Sequence, residues 1–130
     1  MSALSDSAEA LILNWLMTTG TAVRPTAWYL GLFTGAPSDS GGGTEVSGNG
    51  YARAAVTMAA ATSPGGTTTS TDAQAFAAAG GAWGTITHVG LFDASTSGNL
   101  LWHGTITTNR VVNDGDTLTF AIGDLDLTLG

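Results

Sequence analysis

Apolar residues follow a 3.6-residue period only once in this chain, near its start, and after Pro25 they alternate or run together in short blocks. A helical stripe and a strand pattern cannot serve the same segment, so this switch restricts the chain to one helix followed by a β fold. Ala8, Leu11, Ile12, Trp15 and Leu16 define the helical face. The sequence Asp6-Ser7-Ala8-Glu9 has the form of a capping box with Asp6 as the cap, and Thr18-Thr19-Gly20 is a stop, which predicts a helix over about residues 6–17. Its stripe is expected to dock on the chain's own sheet, with a neighbouring subunit as the alternative.

Residues 26–34 (TAWYLGLFT) are apolar on both alternating faces, as a strand covered on both sides must be. Residues 51–58 alternate: Ala52, Ala54, Val56 and Met58 are expected inward, and Arg53, Ala55 and Thr57 outward. Further strands are predicted over residues 83–93, 100–108 and 117–129. In the last of these Leu118, Phe120 and Ile122 occupy even positions, and Leu125, Leu127 and Leu129 odd ones. A bulge or bend at Gly123-Asp124 is the economical reason, because a one-residue slip otherwise turns the apolar set to the wrong face. Residues 72–79 have helix-forming composition between glycine-rich flanks, yet are read as extended or irregular. Asn113-Asp114-Gly115-Asp116 and Ser97-Gly98-Asn99 are tight-turn signals. Residues 35–50 and 62–71, rich in Gly, Ser and Thr, are expected to be surface loops. Gly31-Leu32-Phe33 is echoed by Gly90-Leu91-Phe92, as two strands with similar roles would be. The expected fold is mostly β: an antiparallel, jelly-roll-like β-sandwich of about seven or eight strands with one N-terminal amphipathic helix, in a single domain over residues 1–130.

Charge narrows the functions such a fold can serve. Only 10% of residues are charged, against about 25% in a typical domain, and the net charge is −7. The only basic residues are Arg24, Arg53 and Arg110, so no basic stripe exists to hold phosphates and no nucleic-acid partner is expected. A surface made largely of Thr, Ser, Gly and Ala suits a protein covered by partners better than one that diffuses alone. The absence of cysteine excludes disulfides and thiolate metal sites. No secretion signal or 18-residue apolar run is present, so a chain made in the cytoplasm and without a membrane partner is expected.

The groups that carry chemistry elsewhere are scattered here. His88 and His103 have no second histidine at metal-ligand spacing and are read as structural; opposed on adjacent strands, they would meet across the sheet. Asp114 and Asp116 have a turn's composition, and Asp124 and Asp126 alternate with leucines as a solvated outer face does. No G-x-S-x-G occurs, and the glycine runs 41–43 and 48–50 lack the lysine and following helix of a phosphate cradle. The chain is therefore expected to be no enzyme and to need no cofactor or metal. Its tryptophans read as core anchors, or, if exposed on one face, as a sugar platform.

Three runs in the first half, Trp28-Tyr29-Leu30-Gly31-Leu32-Phe33-Thr34, Gly43-Thr44-Glu45-Val46 and Gly50-Tyr51-Ala52-Arg53, resemble a family of short bacteriophage proteins called phage tail fibre proteins. The second half agrees, through residues 83–93, Gly98-Asn99-Leu100-Leu101, His103-Gly104, Gly115-Asp116 and Gly123-Asp124-Leu125. The resemblance covers nearly the whole chain and implies a non-enzymatic virion protein, with its glycines and aromatics as structural positions. It brings no catalytic or metal residues. A long fibre needs repeats, heptads or a trimeric shaft, and none is visible. The expected role is thus a capsid decoration protein, made in the host bacterial cytoplasm and bound to other phage structural proteins, the major capsid protein or tail proteins, in a homo-oligomer or symmetric array. A tail fibre or other tail-attached component is the first alternative, and a module binding a host-surface glycan the second. The expected contact residues are Ser38, Asp39, Gly42, Thr44, Glu45 and Arg53: long loops carry binding, and ordering residues 35–50 costs on the order of 1 kcal/mol each. In this reading Arg53 is available to clamp a partner carboxylate in bidentate fashion.

Overall fold

The computed structural model describes residues 2–129. In chain order the elements are β1 (Ser2–Leu4), α1 (Asp6–Met17), β2 (Trp28–Gly35), β3 (Thr44–Glu45), β4 (Ala54–Val56), β5 (Thr67–Thr69), β6 (Gln74–Ala77), β7 (Gly84–Phe92), β8 (Leu100–Val112), β9 (Thr117–Phe120) and β10 (Asp126–Thr128). The architecture is mostly β, antiparallel and sandwich-like, with one helix near the N-terminus. It is built from more sheets than two: a six-stranded sheet ordered β1-β8-β7-β2-β3, with β4 also pairing β2, and two ribbons, β5 with β10 and β6 with β9. Among the described residues ten strands stand in place of the expected seven or eight, and five of them, β1, β3, β4, β5 and β10, are only two or three residues long. Among the described residues no helix is long and apolar enough to cross a membrane.

The sheet is centred on β2, whose Leu30, Gly31, Leu32 and Phe33 are all buried, as two-sided apolarity requires. Leu30 and Leu32 face a core shared with Val56, Phe76, Ile86 and Leu118, where the β6–β9 ribbon covers the sheet. Phe33 points to the opposite face and forms a smaller cluster with Phe92 and Leu100.

The phase change near the C-terminus becomes a turn between strands that pair different partners. β9 joins β6, with Phe76 opposite Leu118, and β10 joins β5, with Leu127 opposite Thr68. At the switch Gly123 has φ of 85°, a conformation that costs glycine little, and the Asp124 carboxylate accepts from Ala121 N–H at 2.8 Å. Asp124 is therefore a turn clamp, where alternation suggested only a solvated face. Asp93, Asp114 and Asp116 likewise accept backbone N–H groups at the other turns. Residues 72–79 contain β6 and no helix, in line with the extended reading.

Three expectations are corrected. The helix spans the predicted residues, but its cap is Ser5, one position earlier, whose Oγ accepts from Ala8 N–H at 3.3 Å. Only the first part of the apolar stripe docks on the sheet: Ala8 is buried and Leu11 and Ile12 are half-buried beside β8, while Leu13, Trp15, Leu16 and Met17 are 60–72% exposed. The strand expected over residues 51–58 shrinks to β4, Ala52 is exposed, and Arg53 is turned inward.

Neither loop is free of structure. In the first, β3 pairs β2 and Val46 enters the core at 7% exposure; in the second, Thr67–Thr69 forms β5. Backbone pairing to β2 and burial of Val46 supply locally the stabilisation that the ordering argument assigned to a neighbour.

Candidate functional site

β3 and β4 both lie along the same edge of β2, and they do not meet. β4 pairs Trp28, Tyr29 and Leu30, and β3 pairs Phe33 and Gly35. Leu32 sits at the gap. Its carbonyl accepts from Val46 N–H at 2.9 Å, and its own N–H donates to the Tyr51 hydroxyl at 3.0 Å. Tyr51 thus stands in for the missing strand at a place where a bare N–H would be orphaned. The hydroxyl donates onward to Glu45 Oε1 at 2.8 Å. The ring below it packs edge-on to Trp83 and stacks on Phe76, with centroids 5.5 and 6.4 Å away.

Glu45 is held from its other side by Arg53. Nε donates to Oε1 and Nη2 to Oε2, each at 2.8 Å, the two-pronged geometry in which guanidinium and carboxylate match best. Arg53 Nη1 donates to the carbonyls of Ala94 and Ser97 at 2.9 and 2.7 Å, which fixes the loop after β7. The guanidinium carbon lies 3.4 Å from the centroid of the Phe92 ring, within cation–π range. Burial alone pushes the Glu45 carboxyl up, but the Arg53 and Tyr51 hydrogen bonds and the Arg53 charge outweigh it and hold its pKa below the ordinary 4.5. Burial, with the neighbouring Glu45, pushes the Tyr51 hydroxyl above its usual range. The Glu45 hydrogen bonds raise Arg53 further despite its burial.

Phe92 and Phe33 explain the echoed Gly-Leu-Phe motifs. β2 and β7 run antiparallel with Gly31 opposite Gly90, so the motifs are related by a local two-fold between the glycines. Each phenylalanine leans back over the glycine pair, and the rings stack with centroids 6.1 Å apart and planes 11° from parallel. A Cβ on Gly90 would stand 2.8 Å from Phe33 Cε2 and from Leu100 Cδ1, and one on Gly31 would stand 3.1 Å from Phe92 Cε2 and 2.9 Å from Glu45 Oε1. Both glycines are there for space.

The six expected contact residues divide. Arg53 and Glu45 bind each other within the chain, with side chains only 7% and 25% exposed, so the bidentate clamp has its carboxylate in the same molecule. Thr44 lies in β3. Ser38, Asp39 and Gly42 lie exposed at a turn closed by reciprocal Ser38 and Gly41 backbone bonds. Asp39 is also tied inward: its carbonyl accepts from Asp6 N–H at 2.9 Å, and its carboxylate meets His103 Nε2 at 2.8 Å. The histidines do not oppose each other, since His88 faces Thr105 and His103 faces Gly90.

A cleft of about 570 Å³ opens between the β7–β8 face and the chain from β9 to β10. Val89, Trp102, Ile106 and Phe120 supply apolar lining, and Arg110 and Asp126 are among its polar lining. The sequence offered no sign of the Tyr51 bridge, because a tyrosine filling a strand gap has no local pattern. The echoed glycines were a usable signal for the aromatic stack. Over residues 3–128 the chain matches the family described as "Podophage GP4 fiber I protein gp80". No curated protein matches it.

Proposed function

The chain belongs to the podophage GP4 fiber I protein gp80 family, which makes it a phage fibre-type structural protein, and from that premise we propose that it is a non-enzymatic, tail-attached building block of the particle. The observation that carries this is the destination of the motif residues. Gly31, Phe33, Glu45, Tyr51, Arg53, Gly90 and Phe92 converge on one knot whose polar partners all lie inside the chain. Such groups hold a fold together. They do not present a nucleophile, base or ligand set to a substrate.

The family's description speaks for a fibre over the head-shell decoration role expected from the chain's compactness. Virion proteins are its partners, and Ser38, Asp39, Gly42 and Thr44 are the part of the expected contact set that is exposed. Gold-labelled antibody against this protein, imaged on intact particles, tests the placement. Label at the tail is expected; label spread over the head shell restores the decoration role and overturns this one.

A second reading, binding of a host-surface glycan, is favoured by the cleft beside Trp102, because a lining that combines aromatic and polar side chains suits a sugar ring. Glycan-array retention lost on Trp102→Ala is its expected signature, and no retention by the wild-type protein rules it out.

A further inference from the structure

β8 is longer than either strand beside it. β1 covers its outer edge only at Trp102, His103 and Gly104, and from Thr105 to Val111 no strand lies along that edge among the described residues. The inner edge is interrupted as well: Thr105 pairs His88 and Arg110 pairs Ile86, so residues 106–109 bulge opposite Thr87 alone. Across the cleft, β9 pairs only β6 and β10 pairs only β5, which leaves each of them a free edge.

Residues 102–108, 118–120 and 124–128 line the cleft in unbroken runs. Side chains alternate between the two faces of a strand, so a strand that presents only a face contributes every second residue. An unbroken run means that the strand's edge, with its backbone N–H and C=O groups, borders the space. β7, paired on both edges, instead contributes Val89 and Leu91 with only Gly90 between them. Apolar side chains and open strand edges thus meet in one cleft. A sugar engages the side chains and leaves the edges unpaired, whereas an extended peptide engages both, as β1 already does farther along the same edge. Arg110 and Asp126 line the cleft too; both are exposed, and neither is in an ion pair among the described residues. In a chain of net charge −7 the carboxylate is the stronger attractor, and it favours a basic residue on the occupant. We propose that this cleft is a strand-docking site for an extended segment of a neighbouring virion protein, with apolar side chains at alternate positions and a basic residue toward Asp126. The choice of partner rests on the reading of the chain as a particle building block; the docking chemistry does not.

Amide NMR spectra of the full chain, titrated with the capped heptapeptide Val-Thr-Val-Lys-Val-Thr-Val, test this without reference to any place on the particle. Shifts confined to residues 102–111, 117–120 and 124–128 are expected, with a Kd of roughly 10–500 µM. N-methylating the alternate amides that face one side of the peptide, or those that face the other, should in at least one case weaken binding about tenfold or more, because each methyl deletes a backbone hydrogen bond. Glu in place of the peptide's Lys should weaken it roughly two- to fivefold, and Asp126→Asn, a change at an exposed side chain, should keep the melting temperature and abolish that preference. No shift at millimolar peptide, or both methylated peptides binding as well as the parent, overturns strand docking. A Lys preference that survives Asp126→Asn overturns the charge assignment. Shifts of the same amides by a glycan and not by the peptide give the cleft to a sugar.

Discussion

At the scale of single residues, Tyr51 does two jobs through one oxygen, as acceptor for Leu32 N–H and donor to Glu45. Tyr51→Phe keeps the ring against Trp83 and Phe76 and deletes both bonds, leaving the Leu32 N–H without a partner. The expected cost is about 2 kcal/mol, which in a domain of this size lowers the melting temperature by roughly 5–10 °C in calorimetry. The Glu45 carboxyl gives a pH signature with a definite sign. Its pKa in the fold lies below the ordinary 4.5, so its contribution is fully present above that value and is lost as pH falls through the lower folded-state value. Glu45→Gln should therefore melt well below wild type at pH 7, with the difference shrinking as pH drops below about 4. A gap independent of pH shows that the ion pair contributes nothing.

Among the elements, α1 and β2 are opposites. β2 is enclosed by β7 on one edge and by β3, β4 and Tyr51 on the other, and its local period was enough to find it. α1 was equally legible in extent, yet its stripe gave no indication of what would cover it. Docked on β8 through Ser5, Asp6, Ala8 and the half-buried Leu11 and Ile12, with its second half exposed, the helix should open without the sheet. Ser5→Ala removes the cap and should destabilise the helix by about 1 kcal/mol. In hydrogen exchange, amides of residues 9–17 should exchange several-fold faster in this variant while those of β2 and β7 keep their protection. Equal acceleration in both places means that the helix and sheet unfold as one unit.

For the whole molecule, scarcity of charge decides how it can be attached. Arg53, one of the three basic residues, is engaged internally, so few cations remain to clamp a partner's acids. An interface made of apolar area and Thr/Ser contacts resists salt, because screening weakens charge pairs and leaves burial intact. The protein should stay on purified particles from low salt to about 1 M NaCl and leave only in denaturant; release by moderate salt, read on a gel of washed particles, contradicts this. The sequence by itself determined the helix, the main strands, the turn residues and the fibre-family resemblance, since each is written in a local period or a contiguous motif. Tertiary structure alone decided that Tyr51 fills a strand gap, that Gly31 faces Gly90 beneath two stacked rings, that Arg53 turns inward to Glu45, and that the second half of the helix lies bare. Those outcomes depend on which strands become neighbours and where their ends fall short of one another. Alternation along one strand carries no information about the edge beside it.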